Sequence, residues 1–327
     1  MGTPQMGHQS KMAFDKTAAA DAALGHVLTD FNADSFELEY LSESIVLNQS
    51  RIHSDGIRGT RSMGEERCRI SQEAVGGSIT MHPTHEELDL ILPLILGADE
   101  DSDVFKVAET MQEFGIIIDR GTKRFSYAGC QIASATFSAS SGQAMSLTLD
   151  ILGKKETTSA TAYPASIPIA KRDAPFIMSD TTISFPADSS ASEISSFSVS
   201  IDNMLDGGRF MNSLTRTAIP SGGRQVSVSV SMPYTADEAD MYKTALSAND
   251  GAFIQLQQTM TSGNPIYSSG TDLRTLKFTF GQVEFAAVSP TVSGKNGEYF
   301  LSLQGNAYST TNGSTVTREI EILNKEE

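Results

Sequence analysis

Tryptophan is absent from this 327-residue chain, cysteine occurs twice and histidine five times. With no tryptophan and only 7% aromatics, the stacking platforms common in sugar-binding sites are scarce. Cys68 and Cys130 are too few for a disulfide framework, so each reads as a reduced thiol, buried or borne on a strand. None of the histidines stands in G-x-S-x-G or another nucleophile context. No apolar run reaches the roughly 18 residues of a membrane helix. The opening residues lack the basic-then-apolar order of a signal peptide, and the expectation is a soluble protein made in the cytoplasm. Basic residues are the minority: 24 Lys and Arg stand against 40 Asp and Glu, a formal charge of −16. That balance disfavours a tight nucleic-acid binder, which needs a basic face to neutralise phosphates. It is compatible with a surface past which nucleic acid slides without sticking.

The faint chemical motifs fail on geometry. His82 and His85 are three apart astride Pro83, whereas a zincin helix needs its pair at i and i+4. Asp99, Asp101 and Asp103 match the start of a calcium loop, but Val104 and Thr110 replace its glycine and its bidentate glutamate. Gly222 and Gly223 begin a strand instead of opening a helix, so they imply no phosphate cradle. No catalytic residue, metal or cofactor is assigned, and nothing argues for an enzyme.

What is present is a pattern used twice. The stretch MHPTHEELDLILPLILG from Met81 is echoed by MPYTADEADMYKTAL from Met232. In each copy an alternating run ends at a Met and leads into a capping box, Thr84 with Glu87 and Thr235 with Glu238, and both pairs are 151 apart. Downstream, Phe125 and Phe278, Tyr127 and Phe280, Cys130 and Val283, and Ile132 and Phe285 are each 153 apart. Leu147 and Leu301, and Leu149 and Leu303, are 154 apart. Apolar positions map onto apolar positions with a drift of three residues, which points to tandem duplication. Upstream the copies lose step, because Arg58 and Arg216 are 158 apart, so one pre-helix loop carries an insertion.

In order, residues 1–34 read as an N-terminal arm, 35–156 as a first domain with a long polar loop at 48–69 that is either an extended hairpin reaching a neighbouring subunit or a mobile surface loop, 157–170 as a Thr/Ser/Ala/Pro-rich linker, and 171–327 as a second domain. The cleanest strand is QVSVSVSMP from Gln225, with Val226, Val228 and Val230 on one face and serines on the other. Pro93 lies far enough inside the first helix to end or kink it, and Gly97 stops it. Each unit is therefore a mainly antiparallel β-domain with one helix on its side or edge. The loop holds the one basic concentration, Arg51, Arg58, Arg61, Arg67 and Arg69, suited to docking on a neighbour that is elsewhere acidic.

The segments ESIVLNQSRIHSDGIRGTRS, HPTHEELDLILPLILG, FSYAGCQIASATFSASSGQAMSLTLDILGKKE, FSVSIDNML and SGGRQVSVSVSMPYTADEADMYKTAL together resemble the tail tube proteins of long-tailed bacteriophages, in the longer type whose tube domain is present twice. The resemblance runs from about Phe36 to Tyr308. It implies two tandem antiparallel β-sandwich or barrel-wall domains, each with a flanking helix, and a trimeric, pseudo-hexameric ring where a single-domain protein makes a hexamer. It also implies rings stacked into a hollow tube for genome passage, in a virion tail assembled in the bacterial cytoplasm. DNA passes the lumen without specific binding, and the other partners are tape measure, tail terminator and distal tail proteins. The long loop, with Arg51, Asp55, Arg58, Arg61, Glu65, Glu66 and Arg67, is the expected contact between subunits or rings. The competing reading is a carbohydrate- or receptor-binding β-sandwich of the same particle, which the missing tryptophan weakens.

Overall fold

The structure is a computed structural model. It describes residues 7–16, 35–54, 56–57, 59–62, 67–98, 101–159, 163, 167, 174–185, 189–191, 194–234, 252–260, 272–286, 291–292, 295, 299–312 and 315–326. The first half carries β1 (Lys11–Asp15), β2 (Ser35–Leu38), β3 (Ser42–Glu43), β4 (Val46–His53), β5 (Cys68–Met81), α1 (His85–Leu96), β6 (Val104–Lys106), β7 (Phe114–Asp119), β8 (Arg124–Ser140), β9 (Ser146–Gly153) and β10 (Lys155–Ser159). The second carries β11 (Thr181–Phe185), β12 (Ser189–Ala191), β13 (Ser196–Asp202), β14 (Gln225–Pro233), β15 (Ala252–Met260), β16 (Asp272–Phe280), β17 (Gln282–Phe285), β18 (Thr291–Val292), β19 (Tyr299–Tyr308), β20 (Thr310–Asn312), β21 (Thr315–Thr317) and β22 (Ile320–Glu326). The expected mainly β, antiparallel architecture is what the chain adopts.

One antiparallel wall crosses both halves, in the order β4 (with β3), β5, β9, β8, β13, β14, β19, β17. Successive side chains of a strand face opposite ways, and β13 and β14 alternate strictly. β13 reads Ser-Phe-Ser-Val-Ser-Ile-Asp and buries Phe197, Val199 and Ile201; β14 buries Val226, Val228, Val230 and Met232. In register, Ile79, Leu149, Ala135, Ile201 and Val226 form one buried row across five strands. Each Ile, Leu or Val of the row contributes about 1.5–3 kcal/mol by burial. A one-residue slip would put the whole set in water, and this fixes the register.

Two smaller sheets lie behind the wall. β8 has 17 residues and serves two sheets. Its first half pairs with β7 and β10, its second half with β9 and β13, and the bulge between Ile132 and Ser134 lies at the change-over. Just before it Gly129 sits at φ 61°, a left-handed conformation that suits glycine. The first small sheet runs β2, β1, β7, β8, β10, and the second runs β12, β11, β15, β16, β22, β6. Phe137 of the wall meets Phe278 of the second small sheet edge-on, with centroids 5.0 Å apart, so one apolar core joins the layers.

The structure refines three sequence expectations. Residues 11–15, placed in the arm, form β1 between β2 and β7, with Met12 and Phe14 fully buried. Buried on both faces, this short strand shows little alternation. Residues 46–53 and 68–81 are paired strands, so of the two readings of 48–69 the chain adopts the hairpin. Its first strand is exposed on both faces, and its sequence is accordingly polar without a period. The expected linker begins later too, since Thr157 and Thr158 still pair with β8.

α1 is the one α-helix among the described residues. Its capping box is complete: Thr84 Oγ1 accepts from Glu87 N at 3.4 Å, and Glu87 Oε2 accepts from Thr84 N at 3.0 Å. The helix runs through Pro93 to Leu96 instead of ending there. Pro93 is buried and forfeits one i→i−4 bond, a loss offset by the surrounding core. Gly97 then closes the helix at φ 86°, its N–H bonded to Pro93 O at 2.8 Å. Thr235 and Glu238, the second expected cap, lie outside the described residues.

The two halves repeat one strand order. The order β4, β5, β9, β8 matches β13, β14, β19, β17, and β2, β1, β7, β8, β10 matches β12, β11, β15, β16, β22. The register repeats as well: Met81 faces Leu147 and Ile79 faces Leu149 in the first half, while Met232 faces Leu301 and Val230 faces Leu303 in the second.

Candidate functional site

The outer face of the wall is lined by small polar side chains. Thr80, Thr148, Thr136, Ser200, Ser227, Asn306 and Glu284 follow one another in register across seven strands, with Ser42 beside Thr80 at one end. The next rows are Ser78, Asp150, Ser134, Asp202 and Gln225, then Ser146, Ser138, Ser198, Ser229 and Gln304. Neighbours on this face bond to one another, Ser134 Oγ to Asp150 Oδ2 at 2.7 Å and Thr136 Oγ1 with Ser200 Oγ at 3.2 Å. In these rows the only charged side chains are Asp150, Asp202 and Glu284, all acidic. Such a face repels phosphate and offers it no cation to hold. Among the described residues no cluster of His, Cys, Asp or Glu could hold a metal ion.

Two edges of the wall are open. Among the described residues β3 and β4 pair only with β5, and β17 pairs only with β19. An unpaired edge invites another strand.

The β4–β5 hairpin projects from the first edge. Arg51 lies on β4 opposite Ile70; Arg61 and Arg67 lie in the connection; all three are exposed. Ile52 and Ile57 are exposed beside them. The structure thus places three of the seven expected contact residues on one projection, while Asp55, Arg58, Glu65 and Glu66 lie outside the described residues.

The equivalent connection in the second half, between β13 and β14, folds back instead. Arg216 donates from Nη1 to the carbonyls of Val75 and Gly153 and from Nε to Gly207 O at 2.7 Å. Glu73 N donates to Leu214 O at 2.7 Å, adding a backbone tie to β5. Next to it Asn203 Nδ2 donates to Ile95 O at 3.1 Å and Ile132 O at 3.0 Å, linking the end of α1 to the bulge of β8. Arg224 donates to Asn203 Oδ1 at 3.1 Å and to Ala108 O at 2.7 Å, and burial lowers it from its ordinary value. The sequence reading did not single out Asn203, and it used Arg216 only as an alignment marker. The available signal was the dipeptide Thr60-Arg61, repeated as Thr215-Arg216.

Cys130 is wholly buried and burial pushes its thiol far up, so it is held as the neutral thiol. Cys68 is half-buried at the hairpin, with Sγ 3.9 Å from His53 Nε2.

No curated protein matches the chain. A family model described as phage tail tube protein matches residues 7–320, and the chain belongs to that family. It is a structural component of the virion tail, assembling into a tube with other tail proteins.

Proposed function

We propose that the chain is a duplicated tube subunit, that three copies close into a pseudo-hexameric ring, and that stacked rings enclose the channel through which DNA passes. The observation that carries this reading is the wall with its strand order used twice. Three chains then supply six equivalent segments to a closed sheet. Closure pairs both open edges, which no single chain does among its described residues. The Ser/Thr face with Asp150, Asp202 and Glu284 is the lumen, because it is wet and carries charge of one sign, while the opposite face is core. DNA slides on such a surface without a counterion-releasing contact.

Arg51 and Arg67 of the hairpin are directed to acidic surface of the next ring. Head-to-tail stacking of this kind does not close, and so gives a filament. Tape measure, terminator and distal tail proteins are the expected partners at the tube's core and ends. Electron microscopy and native mass measurement of the purified protein test the reading. Hollow tubes built of rings with the mass of three chains support it; six chains per ring, or a monomer at every concentration, overturns it.

A further inference from the structure

We infer that the contact closing the ring is a second use of the seam between β8 and β13: the edge formed by β17 with Ala286 and by β18 of one copy runs antiparallel to the edge from Ser42 to Asn48 of the next, with Ala286 opposite Asn48 and Thr291 opposite Ser44. This rests on the ring reading above and adds the edges and their register.

The seam is explicit within one chain. Ser134 faces Asp202 and Ser138 faces Ser198, joining the last wall strand of the first half to the first wall strand of the second. Each partner has a counterpart at an open edge. Ser134 sits beside Asp150 on β9; Ala286 sits beside Gln304 on β19, its N–H bonded to Gln304 O at 2.8 Å, and Asp150 and Gln304 are 154 apart. Ser138 faces Ser146 as Thr291 faces Phe300, again 154 apart. On the other side, Asp202 faces Gln225 as Asn48 faces Ala74, and Ser196 faces Ser231 as Ser42 faces Thr80. The β5 and β14 partners are 151 apart throughout, and Asn48 and Asp202, like Ser42 and Ser196, are 154 apart. Replacing each seam residue by its counterpart gives the pairs stated. Asn48 and Ala286 are both exposed, as an unused edge requires.

A second feature of the second half fits the same operation. In the first half Arg216 fills the fork where β5 and β9 part, at Val75 and Gly153. The matching fork is at Val226 and Ala307, and there a cleft of about 750 Å³ is open, lined by Gln225, Ala307 and Glu319 among others. Glu319 Oε2 is buried there with no hydrogen-bond donor. The residue that corresponds to Arg216 is Arg61: their separation of 155 agrees with the flanking 154 better than the 158 of Arg58 does. Closing the ring carries the next copy's Arg61 to this cleft, where it donates to Glu319 Oε2 and adds a second cation to the Arg224 charge that already faces this carboxylate.

The test uses the full-length chain with Cys68→Ser, since Cys130 is buried. Asn48→Cys and Ala286→Cys are placed in separate chains, mixed, assembled and mildly oxidised. The expected result is a covalent dimer from this mixture and none from Asn48→Cys mixed with Ser302→Cys. The double variant in one chain should give a closed covalent trimer. Arg61→Ala and Glu319→Gln are each expected to raise the concentration needed for ring formation about ten-fold, a change of roughly 1.4 kcal/mol. Rings that form normally while only another edge pair cross-links overturn the junction and leave the ring reading standing. Absence of rings from the unsubstituted protein overturns both.

Discussion

Arg216 donates to the carbonyl of Gly153 at 2.9 Å, tying a loop of the second half to a strand end of the first. The same Nη1 also serves Val75 O, so one guanidinium closes the fork between β5 and β9.

Removing that group strands two carbonyls, that of Val75 within β5 and that of Gly153 at the end of β9. Arg216→Ala is expected to lower folding stability by about 2–3 kcal/mol, the scale of lost hydrogen bonds to a charged donor. Arg216→Lys should recover only part, because a point ammonium cannot reproduce the planar fork. Chemical denaturation of the three proteins decides it, and equal midpoints would refute the role.

The hairpin arginines separate folding from assembly. Arg51 and Arg67 are exposed, so Arg51→Glu with Arg67→Glu should change stability by no more than about 0.5 kcal/mol per site. Rings should still form while tubes shorten or vanish, most markedly at low salt, where charge pairing is least screened. Tubes of normal length in micrographs of the double variant would show that these arginines do not join rings.

Lumen chemistry can be reversed without disturbing the core. Ser198→Lys with Ser229→Lys places cations on the polar face next to each other in register. Assembled tubes of the variant are expected to retain double-stranded DNA in a salt-dependent manner, whereas the parent retains none. If DNA retention is the same for both, that face is not the lumen.

Glu87 sets a pH dependence. Desolvation raises its carboxyl above the ordinary value, and the N–H groups of Thr84 and Glu39 oppose the rise. A carboxyl raised in the folded state binds its proton there first, so stability declines as pH rises through the folded value. Glu87→Gln keeps an acceptor for Thr84 N and removes the charge. The variant should be the more stable at pH 7.5, with the gap closing as pH falls through the raised folded value and gone below about 4.3, the ordinary glutamate value. A gap that widens on acidification would mean that the ionised form is the stabilising one.

Legibility followed exposure. Val226, Val228 and Val230 announced their strand because one face is core and the other wet. The pair Thr84 and Glu87 announced the helix start, because a capping box is a local device. β1 and β4 gave no such signal, for opposite reasons: Met12, Ala13 and Phe14 are buried on both faces, and the residues of β4 face water on both. Pro93 does not end the helix, because local rules weigh only the lost hydrogen bond, whereas the buried face of α1 spans the helix on both sides of it.

By itself the sequence determined the β class, the internal echo at Met81 and Met232, the acidic balance and the family resemblance, since periodicity, spacing and charge are properties of the chain. Only the tertiary structure decided that β8 turns at its bulge to join two sheets, that β13 docks on it, and that Asp150, Asp202 and Glu284 share the polar face. Those relations are set by register between strands far apart in the chain, and a shift of one residue reverses the face of every side chain.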